Sequence, residues 1–559
     1  MKYILTIIKD NYKLISIYIM LGVTSALLST LSISYFQKIL EDFSHKNIML
    51  GTILLYGLIL AVSCILSYVD EYPQNKLANS IYFFIKGFAL QKMNTIKYES
   101  YLDLNSGVLL QKIENGSMSG KKILFDFYLR VIRELIPNVL FSLFFIALIN
   151  KTIVAFIVIG YVLVFIVTRL VLKLLYSIKE KSLINEEFIN KILARGIVEL
   201  VTFRLNKQYK NEIIKFNEKS AIVIDQKTRM VMIHESFFAI FAFILVIVKI
   251  AILILAYSTF NLDVGSIVAL ILYVDKVYNP IAVFNVLYVQ YKLDLVSFKR
   301  LTEFFDAEND SNLTGHSSIV AIDGSIKFDQ VSLKLNQKEI IKNISFQINK
   351  GNSYALIGES GAGKSSIIKL ITGLLKPSSG QIFYGTHLLN DVDLNCIYDQ
   401  IYYISQETSI FDGTLRENII FNKKISDEEV KKVLKLVKLE QFLSKLANGL
   451  NTELGEKGIK ISGGEKQRIA LARIFFSECK LVILDEATSG LDRISEQEVF
   501  KNIIEYLVDR TIIIVAHNLK TITHVDKVLV IKDGILVEND SLENLLNQRS
   551  HFYNLWNSK

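Results

Sequence analysis

GESGAGKS, residues 358–365, has the spacing G-x-x-x-x-G-K-[ST] of a phosphate-binding loop. In such a loop the glycines let backbone N–H groups close around a polyphosphate, Lys364 reaches the terminal phosphates, and the Ser365 hydroxyl can hold Mg²⁺. The flanks fit, because NSYALI (352–357) is typical of a buried strand and SSIIKLITGLL (365–375) of a helix whose N-terminus faces the phosphates. The residues predicted to contact the phosphates are Gly358, Glu359, Ser360, Gly361, Ala362, Gly363, Lys364, Ser365 and Ser366.

A second glycine motif, ISGGE at residues 461–465, resembles the LSGGQ signature of ATP-binding-cassette (ABC) proteins. The other motifs of that family have counterparts in the expected order. They are the Q-loop glutamine (Gln406 in YYISQE), the exporter-type loop before the signature (GEKG, 455–458), Walker B with the D-loop (LVILDEATSGLD, 481–492) and the switch histidine (His517 in IIIVAH). From about residue 325 to the C-terminus the chain therefore resembles the cassette of an ABC exporter.

The resemblance implies an ATPase whose cofactors are ATP and Mg²⁺. Hydrolysis of a phosphoanhydride needs neutralised phosphate charge, an aligned water, and a group that orients or deprotonates this water. Asp485 is expected to hold Mg²⁺, Glu486 to polarise the attacking water, and His517 to contact the γ-phosphate and position Glu486. The further Mg²⁺ ligands implied are Ser365 and Gln406. The predicted catalytic residues are Glu486, His517, Gln406 and Lys364.

The signature motif predicts a partner chain. Ser462 precedes a predicted helix, EKQRIALARIFF, and a hydroxyl, free amides and the helix dipole together favour an anion there. In the family this anion is the γ-phosphate of ATP on a second cassette, so two cassettes meet head to tail. The residues implied to face the partner's ATP are Ser462, Gly463, Gly464 and Glu465, and the D-loop aspartate is Asp492. One chain carries one cassette, so we expect a dimer with a second half-transporter; the complete motif set favours a homodimer, and a heterodimer stays open.

The chain departs from the family pattern at two positions. Glu465 replaces the usual glutamine of the signature and adds a negative charge near a phosphate-facing helix end, for which we expect a modest effect. Leu335, in IKFDQVSLKL (326–335), takes the place of the aromatic residue that stacks on adenine in the family. We therefore expect weaker ATP binding or relaxed base selectivity.

The composition indicates a membrane protein. The 559 residues are 51% hydrophobic, and the mean hydropathy is +0.35, which is too apolar for an ordinary soluble protein. A net charge of +8 is explained by basic cytoplasmic loops, so we expect contact with a lipid bilayer and no nucleic-acid partner. The first apolar run continues to about residue 33 without a small-residue cleavage site, and is predicted to be a spanning helix rather than a signal peptide.

Six apolar stretches are long enough to span a bilayer: 14–35, 49–69, 131–149, 152–172, 237–257 and 264–288. Segment 177–229 holds eleven basic residues and is therefore expected to be cytoplasmic. The short connections at 150–151 and 258–263 then face outward, and both termini and the ATPase domain face the cytoplasm.

The intervening stretches 70–130 and 173–234 are amphipathic and too polar to span. They resemble the cytoplasmic helical extensions of ABC exporters, with coupling helices expected near 105–110 and 195–199. The predicted fold is an α-helical six-span membrane domain with long cytoplasmic extensions, followed by an α/β P-loop NTPase domain. The predicted domains are 1–300 (membrane), 301–324 (linker) and 325–559 (nucleotide-binding).

Charges within the predicted spans are few. Lys249 and Asp275 lie at similar depths below the outer ends of two neighbouring helices, and unpaired charges in a membrane are costly. We therefore expect an ion pair, which either fixes packing or contacts substrate. Lys276, about 100° around the helix from Asp275, is expected to point into a central cavity instead.

These features favour an ATP-driven exporter in a bacterial plasma membrane, since the Lys/Ile/Asn-rich composition resembles an AT-rich bacterial genome. The spans exclude a soluble ABC factor, and the presence of Glu486 argues against an ABC protein that regulates a channel or partner. An importer is disfavoured because importers usually encode cassette and membrane parts separately.

No protease-like segment precedes the first span, so we expect no leader cleavage by this chain. The substrate is expected to be a peptide or another amphipathic compound, with lipid flipping or multidrug export as alternatives.

Overall fold

The structure is a computed structural model, and the residues that it describes are 2–45, 49–102, 106–256, 262–314, 322–335, 338–406, 408–421, 423–455, 461–487, 493–516 and 519–558. The chain divides into two compact units. One comprises Met1–Asn94 and Leu104–Asp306, and the other comprises Thr95–Asp103 and Ala307–Lys559. Within the described residues the first unit contains helices and no strand, whereas the second is built around two sheets.

The first 306 residues form ten α-helices within the described chain, most of them long. They are α1 (Lys2–Asp10), α2 (Tyr12–Ser44), α3 (Leu50–Thr95), α4 (Tyr98–Leu102), α5 (Ser106–Lys121), α6 (Ile136–Ile149), α7 (Lys151–Val198), α8 (Leu200–Leu205), α9 (Tyr209–Leu255) and α10 (Val264–Phe305). Between α5 and α6 the chain is π-helical, at Lys122–Leu129 and Val131–Leu135. Short π segments inside helices are frequent at functional sites, and this one lies beside a cavity described below.

Five helical stretches of the described chain are long and apolar enough to cross a membrane. They are Tyr12–Ser44, Leu50–Thr95, Leu109–Ile149, Tyr209–Leu255 and Val264–Phe305. Each overlaps one of the six predicted stretches. The remaining stretch, 152–172, begins α7, in which Lys151–Gly160 stands out only as a shorter apolar helix. A helical, membrane-like unit is therefore present. The prediction of six spans is not confirmed, because the described residues contain five such helices.

Four helices, α3, α7, α9 and α10, are much longer than a bilayer requires. Helices α7 and α9 have 48 and 47 residues, or about 70 Å each at 1.5 Å per residue, against a hydrocarbon core of about 30 Å. The short helix α8 connects α7 to α9 and directly follows the coupling helix predicted at 195–199. Length alone thus permits a large part of both helices to lie outside a membrane.

The first predicted coupling helix, 105–110, lies partly outside the described residues and stays a prediction. Asn105 lies outside the described residues, and 106–110 form the start of α5. The short helix is α4, which lies N-terminal to that range and belongs to the second unit. The backbone holds it there, since Lys97 N donates to Glu308 O at 2.9 Å and Asp310 N donates to Thr95 O at 2.9 Å. These long-range hydrogen bonds have no signal in the local sequence.

The helical unit has an apolar core where α2, α6, α7, α9 and α10 meet. Its buried members are Ile33, Ile146, Ile153, Ile157, Phe241, Ile252, Ala269, Leu270, Tyr273, Val274, Val277, Tyr278 and Ile281. Tyr278 Oη donates to Ile157 O at 2.8 Å, and a Cβ added at Gly160 would lie 2.3 Å from that hydroxyl. Glycine is therefore required where α10 approaches α7. Lys249 Nζ lies 2.6 Å from Asp275 Oδ1, which joins α9 to α10.

The second unit alternates strands and helices. Its elements after α4 are α11 (Ser311–Thr314), β1 (Ile326–Leu335), β2 (Lys338–Ile348), β3 (Ser353–Gly358), α12 (Lys364–Ile371), β4 (Ser379–Tyr384), β5 (His387–Leu388), α13 (Leu394–Tyr398), β6 (Ile401–Ile404), α14 (Leu415–Ile420), α15 (Asp427–Leu436), α16 (Glu440–Lys445), α17 (Gly463–Ile474), β7 (Leu481–Asp485), α18 (Arg493–Tyr506), β8 (Thr511–Val515), β9 (Lys527–Lys532), β10 (Ile535–Asp540), α19 (Leu542–Gln548) and α20 (His551–Ser558). Short 3₁₀ turns lie at Leu389–Asp391, Gly449–Asn451 and Leu519–Ile522.

The strands form an antiparallel sheet in the order β2-β1-β4-β5 and a larger sheet in the order β10-β9-β3-β8-β7-β6. In the larger sheet β9, β3, β8, β7 and β6 are parallel, and β10 is an antiparallel edge strand. Strands β7 and β8 are buried at every position, as expected for apolar runs covered on both faces. Ligands bind at the carboxyl edge of such sheets. The loop after β3, the end of β7 and the segment after β6 all lie at that edge.

Candidate nucleotide-binding site

The loop after β3 has a backbone that only glycine adopts without strain at two positions. Gly361 and Gly363 have φ angles of +82° and +106°, in the left-handed region. At Gly358 the limit is contact rather than conformation, because an added Cβ would lie 2.2 Å from Ile531 O of β9. The glycine pattern of GESGAGKS thus forms an open cradle of backbone groups at the carboxyl edge of the sheet.

Lys364 is the first residue of α12, so the free N–H groups of that helix face the cradle. The Lys364 side chain is folded over the loop, where Nζ donates to Gly358 O and to Glu359 O at 2.9 Å each. An ammonium in this position can exchange carbonyl partners for phosphate oxygens. Ser365 and Ser366 follow in the first helical turn, Ser365 exposed and Ser366 half-buried. Amides, an ammonium and a hydroxyl are the donors that a polyphosphate with Mg²⁺ requires.

Asp485 ends β7 as the one buried carboxylate among the predicted site residues that the structure describes. Burial raises the pKa of this carboxyl, while a hydrogen bond from the Tyr403 hydroxyl at 3.2 Å acts in the opposite direction. A divalent cation would favour the carboxylate form. The described residues contain no cluster of three or more His, Cys, Asp or Glu side chains suited to a metal. One carboxylate with Ser365 and substrate phosphates is nevertheless the usual Mg²⁺ environment, so the residues present fit this ion.

Glu486 and Gln406 meet although they are far apart in sequence. Gln406 Nε2 donates to Glu486 Oε2 at 2.7 Å. The Glu486 backbone has a φ of +53°, which is uncommon outside glycine, and its N–H donates to Val515 O at 3.1 Å. Residues held in this region cluster at active sites, because only a well-packed surrounding can maintain them. The turn after β7 therefore aims the Glu486 carboxylate along the sheet edge, towards the segment after β6.

The signature motif lies at the N-terminus of α17, and Glu465 takes part in capping this helix. Ser462 is the N-cap; its N and Oγ both donate to Glu465 Oε2, at 2.7 and 2.8 Å, and Glu465 N donates to Ser462 Oγ at 3.4 Å. This reciprocal arrangement is a capping box. The Glu465 charge is thus directed at the start of its own helix, next to Gly463 and Gly464. The S-x-x-E spacing is the sequence signal that would have identified it.

The roles of three predicted site residues, His517, Asp492 and Leu335, stay predictions. His517 and Asp492 lie outside the described residues; His517 comes two positions after the end of β8, the strand between β3 and β7. Leu335 ends β1 and packs, half-buried, against the apolar core of the antiparallel sheet. Its relation to an adenine base stays a prediction.

Two contacts near the site escaped the sequence analysis. The Tyr403 hydroxyl reaches Asp485 from the neighbouring strand β6, and no motif marks it. Lys369, on α12, places Nζ 5.6 Å from the ring centroid of Tyr98, on α4. The helix that carries the phosphate loop is thereby in contact with the short helix that precedes residue 103. Only tertiary packing could reveal either contact.

The helical unit contains a cavity of about 610 Å³. It is lined by α2, α3, α6, α10 and the π-helical segment, and among its residues are Ser29, Arg130, Glu134, Asp275 and Lys276. Cavities of 300–1,000 Å³ are typical of sites for drug-sized ligands. Lys249, in contrast, does not line it.

Comparison with known proteins agrees with this geometry. Residues 341–489 match the family model described as "ABC transporter". The "Putative multidrug export ATP-binding/permease protein YgaD" of Bacillus subtilis (strain 168) is 31% identical over 355 residues, which are 62% of this chain and 61% of that protein. A protein of Staphylococcus aureus (strain NCTC 8325 / PS 47), also named a "Putative multidrug export ATP-binding/permease protein", is 34% identical over 304 residues, 53% of each chain. The chain thus spans about half to three fifths of the length of these curated relatives.

A solved structure shares the fold over nearly the whole chain. The "Structure of a bacterial Atm1-family ABC exporter with ATP bound" matches with a TM-score of 0.84 and 21% identity, covering 99% of this chain and 98% of that one. At this identity the match establishes architecture alone. Residues 341–489 therefore match an ABC transporter domain, the chain is similar in sequence to proteins named putative multidrug export ATP-binding/permease proteins, and its fold is that of a solved ABC exporter.

Proposed function

We propose that the chain is one half of an ATP-driven exporter, which hydrolyses ATP at its cassette and moves a substrate outward by alternating access. One observation carries the proposal. Glu486 follows Asp485 at the carboxyl edge of the larger sheet, hydrogen-bonds Gln406, and shares that edge with a complete phosphate loop. A chain that combines this edge with long apolar helices is equipped to couple hydrolysis to movement across a membrane.

In the proposed reaction the loop amides and Lys364 neutralise the phosphates of ATP. Asp485, Ser365 and Gln406 would hold Mg²⁺, which would supply positive charge next to the phosphate oxygens. Glu486 accepts a hydrogen bond from the attacking water and aligns it, and His517 positions Glu486 at the γ-phosphate. The contact between Gln406 and Glu486 supports this assignment, because it places the proposed metal-sensing and water-orienting groups within hydrogen-bond distance.

The signature residues Ser462, Gly463, Gly464 and Glu465 are proposed to face the γ-phosphate of ATP on a second cassette, with Asp492 at the same interface. The N-terminus of α17 supports this, since a helix N-terminus attracts an anion. The functional unit is then a dimer of half-transporters, with a homodimer favoured because the chain carries every catalytic motif.

We place the chain in a bacterial plasma membrane with six spans, the sixth supplied by residues 152–172 at the start of α7. The membrane domain is residues 1–300, the linker 301–324 and the nucleotide-binding domain 325–559. The lengths of α7 and α9 support cytoplasmic extensions, and the basic residues of 177–229 support a cytoplasmic location for both termini and the ATPase.

The substrate is proposed to be a peptide or another amphipathic compound. Relatives whose names include multidrug export support an amphipathic cargo, and lipid flipping is the alternative. An ABC protein that regulates a channel or partner is the more distant alternative, and Glu486 argues against it.

The test is ATP-driven uptake into inside-out membrane vesicles that contain the full chain. The probes are fluorescent amphiphiles, dansylaminoundecanoate and the cationic dye ethidium. Uptake of either probe that requires hydrolysable ATP and is lost in Glu486→Gln supports export. Hydrolysis that moves neither probe contradicts export of amphipathic compounds. Absence of any turnover that depends on Glu486 contradicts the whole proposal.

Leu335→Tyr is expected to tighten ATP binding about fivefold or more, because stacking of an aromatic ring on a base is worth about 1–3 kcal/mol. The measurement is the dissociation constant of a fluorescent ATP analogue. Leu335→Ile, which is apolar without a ring, is the matched control and should leave the constant unchanged. Equal constants for Leu335→Tyr and the original chain would refute the stacking role.

Lys249→Met is expected to lower the melting temperature of the protein in lipid nanodiscs while leaving basal ATP turnover within about twofold, because it leaves Asp275 without its partner in the membrane. The double variant Lys249→Met with Asp275→Asn should recover most of the lost stability, since both charges are then absent. A loss of turnover with no change in melting temperature would instead indicate that the pair contacts substrate.

A further inference from the structure

The charges around the cavity of the helical unit do not cancel. Four charged side chains line it: Arg130, Glu134, Asp275 and Lys276. Arg130 Nε lies 3.0 Å from Glu134 Oε2, so these two neutralise each other. Asp275 is neutralised from outside the lining by Lys249, at 2.6 Å. One positive charge, that of Lys276, is left in the cavity.

Lys276 has a hydroxyl rather than a carboxylate as its partner. Its ammonium donates to Ser29 Oγ at 2.6 Å, and no other hydrogen bond or ion pair of this side chain occurs within the described residues. The residue lies about 18 Å along α10 from the start of that helix at Val264, deep within a stretch long enough to span a membrane. An ammonium at such a depth is costly unless it meets an anion or water.

Beyond Lys276 the part of the cavity lining contributed by α10 becomes apolar. Val283, Phe284 and Leu287 line the cavity there. Leu287 lies about 16 Å along the helix from Lys276. Phe284 continues into an aromatic cluster, with its ring centroid 5.7 Å from that of Phe127 and 6.1 Å from that of Tyr288. Along α10 the lining therefore passes from a cationic, hydroxyl-lined part to an apolar part, and the neutralised Arg130–Glu134 pair also lines the cavity.

We propose that this cavity binds an amphiphile with a single anionic headgroup, which Lys276 holds while the apolar tail lies along Phe284 and Leu287. That such a compound is the cargo rests on the function proposed above; the binding itself does not. A cationic amphiphile is disfavoured because both lining carboxylates, Glu134 and Asp275, already have cationic partners. Ser29 Oγ accepts from Lys276, so its own O–H can donate a further hydrogen bond to the anion, whereas the Ser32 hydroxyl already donates to Ser29 O at 2.9 Å.

The test is equilibrium binding to the full-length protein in nanodiscs of phosphatidylcholine, without nucleotide. The probes are three fluorophores that differ only in the headgroup: dansylaminoundecanoate, its neutral methyl ester, and the cationic mono-dansyl undecanediamine. Empty nanodiscs give the background from partitioning into lipid. We expect saturable binding of the anion at least about tenfold tighter than that of the ester or the cation, because hydrogen bonds to charged groups are the stronger ones.

Variants of Lys276 then test whether this residue holds the anionic headgroup. Lys276→Met is expected to weaken binding of the anion about tenfold or more, and Lys276→Arg to retain it, because the charge is kept. Lys299→Met, an exposed lysine of the same helix, is the matched control and should change nothing. Lys276→Glu should reverse the preference in favour of the cationic probe. Should Lys276→Met fail to fold, the comparison of the three probes on the original chain decides the proposal alone.

Anion binding no tighter than ester binding, or an equal loss in Lys276→Met and Lys299→Met, would overturn the proposal. The assay contains no ATP, so this failure is distinct from an absence of Glu486-dependent turnover, which would overturn only the transport function. Repetition in nanodiscs with phosphatidylglycerol identifies the source of the anion. Competition by this lipid assigns the cavity to a membrane lipid, and unchanged probe affinity assigns it to a free anionic amphiphile.

Discussion

Glu486→Gln is expected to lower ATP turnover at least about a hundredfold while ATP binding is retained. A positioned general base contributes about 10²–10⁴-fold to a rate, and glutamine keeps the size of the side chain but loses its charge. The turn after β7 holds this carboxylate with an uncommon backbone φ of +53° and a 2.7 Å hydrogen bond from Gln406, so the position of this side chain is specific to Glu486. Phosphate release by the purified protein in lipid measures the effect.

The matched control for this variant is Glu543→Gln, an exposed glutamate in the first turn of α19. It removes the same charge far along the chain from the site and should leave turnover unchanged. A fluorescent ATP analogue should bind Glu486→Gln about as well as the original chain. Turnover within tenfold of the original would show that another group aligns the water.

Lys364→Met is the second change with a large expected effect, and it acts on binding rather than on the chemical step. Loss of a charged hydrogen-bond donor should raise the dissociation constant of ATP about tenfold or more. The same ammonium donates to Gly358 O and Glu359 O, so the variant also removes two contacts that hold the loop in shape. Titration with the fluorescent ATP analogue measures the affinity.

Lys431→Met, on the exposed face of α15, is the matched control for Lys364→Met. It should leave the affinity unchanged. The two variants are expected to differ in their effects. Glu486→Gln loses ATP turnover and keeps ATP affinity, whereas Lys364→Met loses both. An unchanged affinity in Lys364→Met would remove the phosphate loop from the proposed site.

Local sequence predicted the elements that carry the nucleotide site. The stretch IKFDQVSLKL forms β1 over the same residues, Ile326–Leu335, and NSYALI differs from β3 by one residue. These predictions succeed because strand periodicity, apolar runs and glycine spacing are properties of neighbouring residues. The capping box of α17 belongs to the same category, although its S-x-x-E spacing was overlooked.

The bounds of the helices in the first 306 residues were harder to predict from the sequence. The position of α4 depends on backbone hydrogen bonds between residues 95–97 and residues 308–310, which local sequence does not indicate. The stretch 152–172 is apolar in sequence, yet it merges into a 48-residue helix in which no boundary marks the end of a span. Apolar composition locates a candidate span but does not limit its length.

By itself, the sequence determined which motifs form the candidate nucleotide site, because each motif is a contiguous run whose backbone conformation and donor set follow from residues close together. Only the tertiary structure decided which distant groups meet: Gln406 with Glu486, Tyr403 with Asp485, and Lys249 with Asp275, while the adjacent Lys276 faces the cavity. Neighbouring helix residues point about 100° apart, and π-helical turns alter this phase, so the partner of each charge depends on how whole helices pack.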